Sequence, residues 1–425
     1  MKILVDCRSI HPTKSRGIEN FAYSVIESSA EFVEEIAIDV CKSDLEFYKD
    51  YFKEYQNISF ISDPVQGFFV SLSDRSGHLR IALRIFGRIA RLLGFNPFGR
   101  RSGWAKKQWA NVVFYPYHRD DPQHKHLPMV TTVHAILPEY SEVDMNIISQ
   151  QMKNAAAIVT SWPHPYHDLS ERYPFAKDRL FLVPFTAVQN VNVSKEYDIK
   201  QLGVHGDYYF YPAVITPRKN HINLIKACGC LKKKGVEPPL IVCSGGGDQV
   251  LAKELTKAAN SLGVGEKFMF LGYVSTEAMT ALYQNCKASV SASFWEAGIA
   301  AIQEGGLCGK PVICSDTKPA REHAKLFNMD VCFFDPHSPE DTAEKIIEFE
   351  NNIDQYQESS IEASSFIRLI DEKYMGKCYS DVFRYVAGIA SKPQWAPFLK
   401  PKNQGHCFHT GEVSTTKNRS TDEGL

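Results

Sequence analysis

From Tyr208 onward the chain alternates short, wholly apolar runs with helix-period segments, and this pattern limits the fold more than any other feature. The runs cover 208–215 (YYFYPAVI), 240–243 (LIVC), 267–271, 288–292, 311–315 and 331–334. Between them, helical segments begin near Asn220, Gly247, Thr276, Ile299 and Pro319. Strands without a polar face, separated by helices, predict a parallel sheet covered on both sides. Ligands of such sheets sit beyond the carboxyl ends of the strands.

The first half repeats the plan less regularly. Strands are expected at 2–6, 36–41, 112–115, 129–133, 156–160 and 180–183, with helices near 18–34, 145–155 and 165–172. The expected organisation is an N-terminal Rossmann-like domain (1–190) and a C-terminal Rossmann-like domain (205–373). A helix (374–391) and a disordered, Pro-, Lys- and Thr-rich tail (392–425) would follow. The fold class is therefore α/β, two doubly wound domains facing each other across a cleft. At 425 residues the chain is long enough for two full cores.

Composition narrows the function less. The chain is 44% hydrophobic and 23% charged with net charge −1, so bulk charge points to no nucleic-acid partner. Eleven cysteines are scattered without a CxxC pair, which reads as reduced cysteine in a cytoplasmic protein, with no metal-ligand cluster. No apolar run approaches the roughly 18 residues of a membrane span, and "MKILVD" is not a signal-peptide core.

Two stretches carry chemistry. In "TPRKN" (Thr216–Asn220), Arg218 and Lys219 follow a strand, and Asn220 is a suitable N-cap. Two cations at a helix N-terminus oppose its dipole unless an anion such as a diphosphate joins them. They would otherwise be exposed loop cations. In "SASFWEAGIAAIQEGGLCGKPVICSD" (Ser291–Asp316), Glu296 falls in a strand-to-helix loop and Glu304 in the next helix. On a continuous helix the two would stand about 80° apart, so both can face one crevice and accept sugar or ribose hydroxyls. Glu304 has a plainer reading, as the end of a helix face. Small residues in "EAGIAA", among them Gly298, permit close backbone approach to a ligand. "CSGGGD" (Cys243–Asp248) lacks a phosphate-loop spacing and reads as a tight turn. Near the N-terminus, Gly17 opens a helix in "SRGIENFAYSVI", and His134 ends a strand in "TTVHAI", where a ligand role and a structural one are both open.

Together these residues resemble the family 4 retaining glycosyltransferases of the GT-B fold. Glu296 and Glu304 match the family's E-x7-E motif, and "GKPVICSD" follows at its spacing. "PRKN" matches its basic donor loop. "FLGYVSTEAMTALYQNC" (Phe270–Cys286) and "FFDPHSPED" (Phe333–Asp341) match two further segments. The resemblance implies that 1–190 is the acceptor domain and 205–373 the donor domain, that Arg218 and Lys219 hold a donor diphosphate and that Glu304 holds the ribose. Glu296 would touch the transferred sugar, helped by backbone N–H groups of Gly298 and Ile299. Gly17 would shape the phosphate side, and His134 would meet the sugar. It also implies a metal-independent reaction without cofactors, since the nucleotide-sugar is a substrate; GDP-mannose is the favoured donor. The departures are Ile299 and Ala213 where the family has glycine, and Ala135 where it has aspartate.

From Arg75 to Arg119 there are ten Lys or Arg and no Asp or Glu. On a helix over 79–93, Arg80, Arg84, Arg88 and Arg91 fall within about 80° of one another. This reads either as a basic amphipathic helix on an anionic membrane or as a core-packed helix with a solvated Arg face. The first reading would seat the protein peripherally on the inner face of the cell membrane, near an acceptor that the family resemblance implies to be a lipid-linked saccharide of bacterial surface polysaccharide synthesis. Transfer to a small soluble sugar is one alternative. A catalytically silent GT-B protein that binds a nucleotide-sugar or scaffolds a partner enzyme is another.

Overall fold

The computed structural model describes residues 1–12, 16–62, 109–117, 124, 126–136, 140–186 and 197–393. The basic stretch 79–93, much of the expected domain boundary and nearly all of the expected tail lie outside the described residues. Residues 1–393 form one compact unit.

In the first half, β1 (Lys2–Asp6), α1 (Arg16–Ala30), β2 (Glu35–Val40), α2 (Leu45–Tyr51), β3 (Ile58–Ser62), β4 (Val112–Tyr115), β5 (Met129–Thr132), α3 (Glu142–Asn154), β6 (Ala157–Thr160), α4 (Pro163–Arg172) and β7 (Leu180–Leu182) follow in order. The strands make one parallel sheet in the order β3-β2-β1-β4-β5-β6-β7. In the second half come β8 (Tyr208–Pro212), α5 (His221–Lys233), β9 (Leu240–Ser244), α6 (Gln249–Ser261), β10 (Phe268–Phe270), α7 (Thr276–Asn285) and β11 (Ala288–Ser291). A π-helical turn (Ala301–Gly305), β12 (Val312–Ser315), α8 (Lys318–Leu326), β13 (Cys332–Phe334), α9 (Pro339–Asn351), α10 (Ile353–Ile367) and α11 (Glu372–Val386) complete it. Here the parallel order is β10-β9-β8-β11-β12-β13. Both sheets thus have a doubly wound order that reverses direction once, between β1 and β4 and between β8 and β11.

The central strands are wholly buried, which is why they read as unbroken apolar runs. Ile241, Val290, Ile313 and Phe334 form a core with α5 and α9 through Leu224, Leu231, Ile346 and Phe349. A separate core joins Leu4, Val113 and Ile158 to Ile148 and Leu169. The chain then returns: α11 lies across α1, so closely that a β-carbon on Gly376 would fall 1.9 Å from the Ser28 carbonyl oxygen. The Arg384 guanidinium donates to the Phe32 carbonyl at 3.0 Å, and Tyr379 and Phe383 pack on Phe114.

Several elements differ from the sequence expectation. The first strand of the second half stops at Pro212 rather than at residue 215, since Pro212 has no N–H for the ladder; only Ile215 keeps an isolated bridge, to Gly247. The strand β3 and the helices α2, α9 and α10 go beyond the expected elements. Asn220 does not cap α5 with its side chain. It adopts a left-handed conformation (φ 53°) and donates its amide to the Pro336 carbonyl at 2.8 Å.

Candidate active site at the switch point of the second sheet

The loop after β8 and the loop after β11 meet where the strand order of the second sheet reverses. Six interactions hold them in place. The Phe294 N–H donates to the Arg218 carbonyl (3.0 Å), and the Arg218 guanidinium donates to the Trp295 carbonyl (2.7 Å). The Tyr211 hydroxyl, at the end of β8, donates to the Lys219 carbonyl at 2.5 Å and lies 3.2 Å from the Ser293 hydroxyl. The Glu296 carboxylate accepts from the Lys219 ammonium and pairs with the Arg218 guanidinium at 2.9 Å. The sequence expectation placed an external anion on these two cations. Here the chain's own carboxylate pairs with both and offsets one of the two charges, and it comes from 77 residues beyond Lys219.

The electrostatics follow from that pairing. Burial pushes the Glu296 carboxyl up, but Lys219 and then Arg218 outweigh it and hold it below its ordinary value of 4.5. The cluster is open on one side: the side chains of Arg218, Lys219 and Glu296 keep 32%, 19% and 15% of their exposure. A carboxylate and two cations on a partly open switch-point rim can exchange partners with a phosphate and a polyol.

Glu304 sits in the π-helical turn and accepts from the Tyr283 hydroxyl of α7 at 2.6 Å. The π turn changes the angular relation between Glu304 and Glu296 from that of a continuous α-helix. It is also tightly seated: a β-carbon on Gly305 would stand 2.7 Å from the Ser289 side chain on β11.

Gly298 and Ile299 are placed differently from the expectation. A β-carbon on Gly298 would fall 2.3 Å from the Trp162 indole nitrogen, so the glycine accommodates a side chain from the first half of the fold. The Ile299 N–H donates to His323 Nδ1 at 2.9 Å. His323 is buried between Trp162 (ring centroids 4.4 Å apart) and Phe327 (5.0 Å). Burial lowers its pKa to about 3, so the ring is neutral and carries its proton on Nε2. Trp162 ends the loop after β6, directly before Pro163 opens α4. His164 and His167 of α4 face Glu322 of α8 at 3.7 and 3.4 Å.

The remaining two candidates stand on the first sheet. His134, just beyond β5, donates Nε2–H to the Pro116 carbonyl at 3.0 Å and packs edge-on against Phe21 at 4.4 Å. Gly17 is exposed in the first turn of α1, with open space where a β-carbon would stand. A short path joins this side to the other. Phe21 packs on Phe185 (5.6 Å), whose carbonyl accepts from the Gln303 amide beside Glu304 at 2.6 Å. Sequence reasoning misses Trp162, His323, Gln303, Tyr211 and Tyr283. Only Trp162 carries a signal, an aromatic at a strand end before a helix-opening proline.

Residues 195–365 match the family Glycosyl transferases group 1. The O-antigen chain mannosyltransferase B of Escherichia coli is 26% identical over 238 residues, covering 51% of this chain and 60% of that relative's length. Among solved structures, a glycosyltransferase from Rickettsia africae ESF-5 superposes with a TM-score of 0.64 at 15% identity, covering 91% of this chain and 98% of the other. Anabaena HepE, solved with UDP and glucose, superposes with a TM-score of 0.61 at 15% identity, covering 89% and 97%. The two sheets share the fold of these solved glycosyltransferases, and the stretch 195–365 is similar to the glycosyl transferases group 1 family.

Proposed function

We propose that the protein transfers a sugar from a nucleotide-sugar, GDP-mannose being the favoured donor, to a saccharide acceptor, with retention of the anomeric configuration. The observation that carries this reading is the Arg218–Lys219–Glu296 cluster at the switch point of the second sheet, within the stretch similar to the glycosyl transferases group 1 family. The donor diphosphate takes over the two cations, as a charge-assisted anion at a strand-to-helix loop. That exchange frees the Glu296 carboxylate to accept hydroxyls of the transferred sugar, while Glu304 accepts from the ribose. His134 reaches the sugar from the opposite sheet, with Gly17 leaving space on the phosphate side. The leaving diphosphate takes the acceptor's proton on the same face of the sugar. Arg218 and Lys219 supply the charge this step requires, so the proposed reaction uses neither metal nor cofactor.

The acceptor in this reading is a lipid-linked saccharide of bacterial surface polysaccharide synthesis, met at the cytoplasmic face of the membrane. The O-antigen function in the name of the mannosyltransferase relative supports it. So does the arginine-rich sequence of 79–93.

A second reading rests on one observation: the Ile299 N–H, a group the donor would use, is already donated to His323. A protein that binds a nucleotide-sugar without turning it over fits that arrangement.

A thermal-shift panel of nucleotide-sugars on wild type and Lys219→Ala tests the proposal. A donor at 100 times its Kd stabilises its domain by about 2.7 kcal/mol. Loss of one charge-assisted contact removes about 1.5–3 kcal/mol, and with it most of the shift. One donor shifting wild type and not the variant is the expected result; no shift with any donor overturns it. Turnover of that donor with acceptor saccharides then separates transferase from silent binder.

A further inference from the structure

Among the described residues, two groups of ligating side chains lie at the carboxyl edge of the first sheet, and they differ in one decisive respect. Asp6, Asp39 and His124 converge there, fully buried, but the Arg8 guanidinium already sits among them. It bonds Asp6 through Nε at 3.0 Å and lies 3.4 Å from Asp39. That position holds a cation supplied by the chain itself.

The second group is His11, Cys41 and Asp44, whose donor atoms all lie within 4.8 Å of one another. His11 stands in the loop after β1. Cys41 directly follows β2, and Asp44 comes one short turn later. His11 Nδ1 is 2.7 Å from Asp44 Oδ2, and the Cys41 thiol donates to the Arg8 carbonyl at 3.2 Å. We infer that His11, Cys41 and Asp44 bind one thiophilic divalent cation, zinc above all, which clasps the loops after β1 and β2.

The donor set suits that ion: an imidazole, a thiolate and a carboxylate are all zinc ligands, at about 2.0–2.3 Å from the metal. One thiolate and one carboxylate neutralise a divalent charge, and the imidazole adds none. The supports around the ligands are in place. The Ser43 hydroxyl donates to Asp44 Oδ1 at 3.1 Å, leaving Oδ2 to the metal, as outer-shell bonds do in zinc sites. The Asp44 N–H donates to the Cys41 carbonyl at 3.0 Å, and the Tyr48 hydroxyl ties the His11 loop to α2 through the Ile10 carbonyl at 2.9 Å. His11 keeps 35% of its side-chain exposure and Asp44 16%, so an ion enters from solvent and a water completes the coordination. On binding, the Cys41 thiol releases one proton to solvent and gives up its bond to Arg8. His11 then carries its proton on Nε2, and no electron is transferred. Sequence spacing conceals the group, since 33 residues separate His11 from Asp44. The proposal departs from the expectation of no metal-ligand cluster and is independent of the proposed transferase site.

Cobalt(II) titration of the reduced full chain tests the inference, with zinc as competitor. We expect one cobalt per chain, a thiolate-to-cobalt charge-transfer band, displacement by zinc, and release of a proton. Cys41→Ser abolishes the band, whereas Cys230→Ser leaves it intact. His11→Ala and Asp44→Asn keep the thiol and keep the test valid if the cysteine variant misfolds. Each weakens zinc by more than the roughly 10–100-fold that loss of an outer-shell bond costs. A missing band, a band that survives Cys41→Ser, or a zinc affinity unchanged in both His11→Ala and Asp44→Asn overturns the site.

Discussion

The indole of Trp162 occupies the space in which a side chain on Gly298 would have to stand. A β-carbon at 298 would lie 2.3 Å from the indole nitrogen and 2.4 Å from the adjoining ring carbon. This contact fastens the Glu296 loop of the second sheet to the strand-end loop of the first. Through His323 it also fixes the direction of the Ile299 N–H.

Gly298→Ala is therefore expected to destabilise the protein by about 1–3 kcal/mol, the range for an over-packed site. The backbone of Gly298 needs no left-handed angle, so the cost is steric. In a Trp162→Ala background the same substitution should cost almost nothing. A double-mutant cycle by chemical denaturation measures the coupling. Additive effects would show that the two residues do not press on each other.

Glu296→Gln addresses the charge cluster. Sign follows from the direction of the shift: a carboxyl held below its ordinary 4.5 adds stability above that value and loses it as pH falls through the lower, folded value. The stability difference between wild type and Glu296→Gln should be flat above about pH 5 and shrink below about pH 4. Breaking a fully buried pair costs about 3–5 kcal/mol. Here the partners retain part of their exposure, so about 1–2 kcal/mol is expected at neutral pH. Urea titrations at a series of pH values read both quantities.

The central strands of the second half were legible because they are buried on both faces, and an apolar run admits little else. The strand β3 was not, since only Ile58 of ISFIS is fully buried at the sheet edge. Arg218, Lys219 and Glu296 were legible as residues that follow strands. Their pairing was not, because it depends on the order β8-β11 in space rather than on any local spacing. His323 illustrates the limit: nothing in "PAREHAKLF" marks it, and its bond to Ile299 exists only once α8 has packed beside the π turn. The bond laid from Asn220 to Pro336 was equally hidden, and it overrode a sound local rule about capping.

Glu27 gives a pH effect of opposite sign, on α1. It lies half-buried on α1, where burial, and then Glu372 at the start of α11, push its pKa up from 4.5 to about 7. The folded state thus prefers the protonated acid, and ionisation destabilises it progressively from about pH 4.5 to pH 7. Glu27→Gln should leave stability at pH 5 nearly unchanged and raise it at pH 8 by about 1–2 kcal/mol, discounted for partial exposure. Thermal melts of both proteins at the two pH values decide the matter. An equal change at both would assign the effect to packing rather than to charge.

The arginine-rich sequence 79–93 lies outside the described residues. If 79–93 forms a helix, its four arginines would share one face and contribute about 1 kcal/mol each at an anionic surface, and the intervening Ile, Leu and Phe residues would add burial. The full chain should co-sediment with vesicles containing phosphatidylglycerol and remain in the supernatant with neutral phosphatidylcholine. Binding should weaken as salt is raised, because the screening length falls to about 8 Å at physiological ionic strength. Arg80/Arg84/Arg88→Glu should abolish sedimentation while leaving the melting temperature unchanged. A variant that stays bound would remove the electrostatic seat. A variant that instead melts at a much lower temperature would place the arginine face in the fold, favouring the reading in which this segment packs on the core and the acceptor is a soluble sugar.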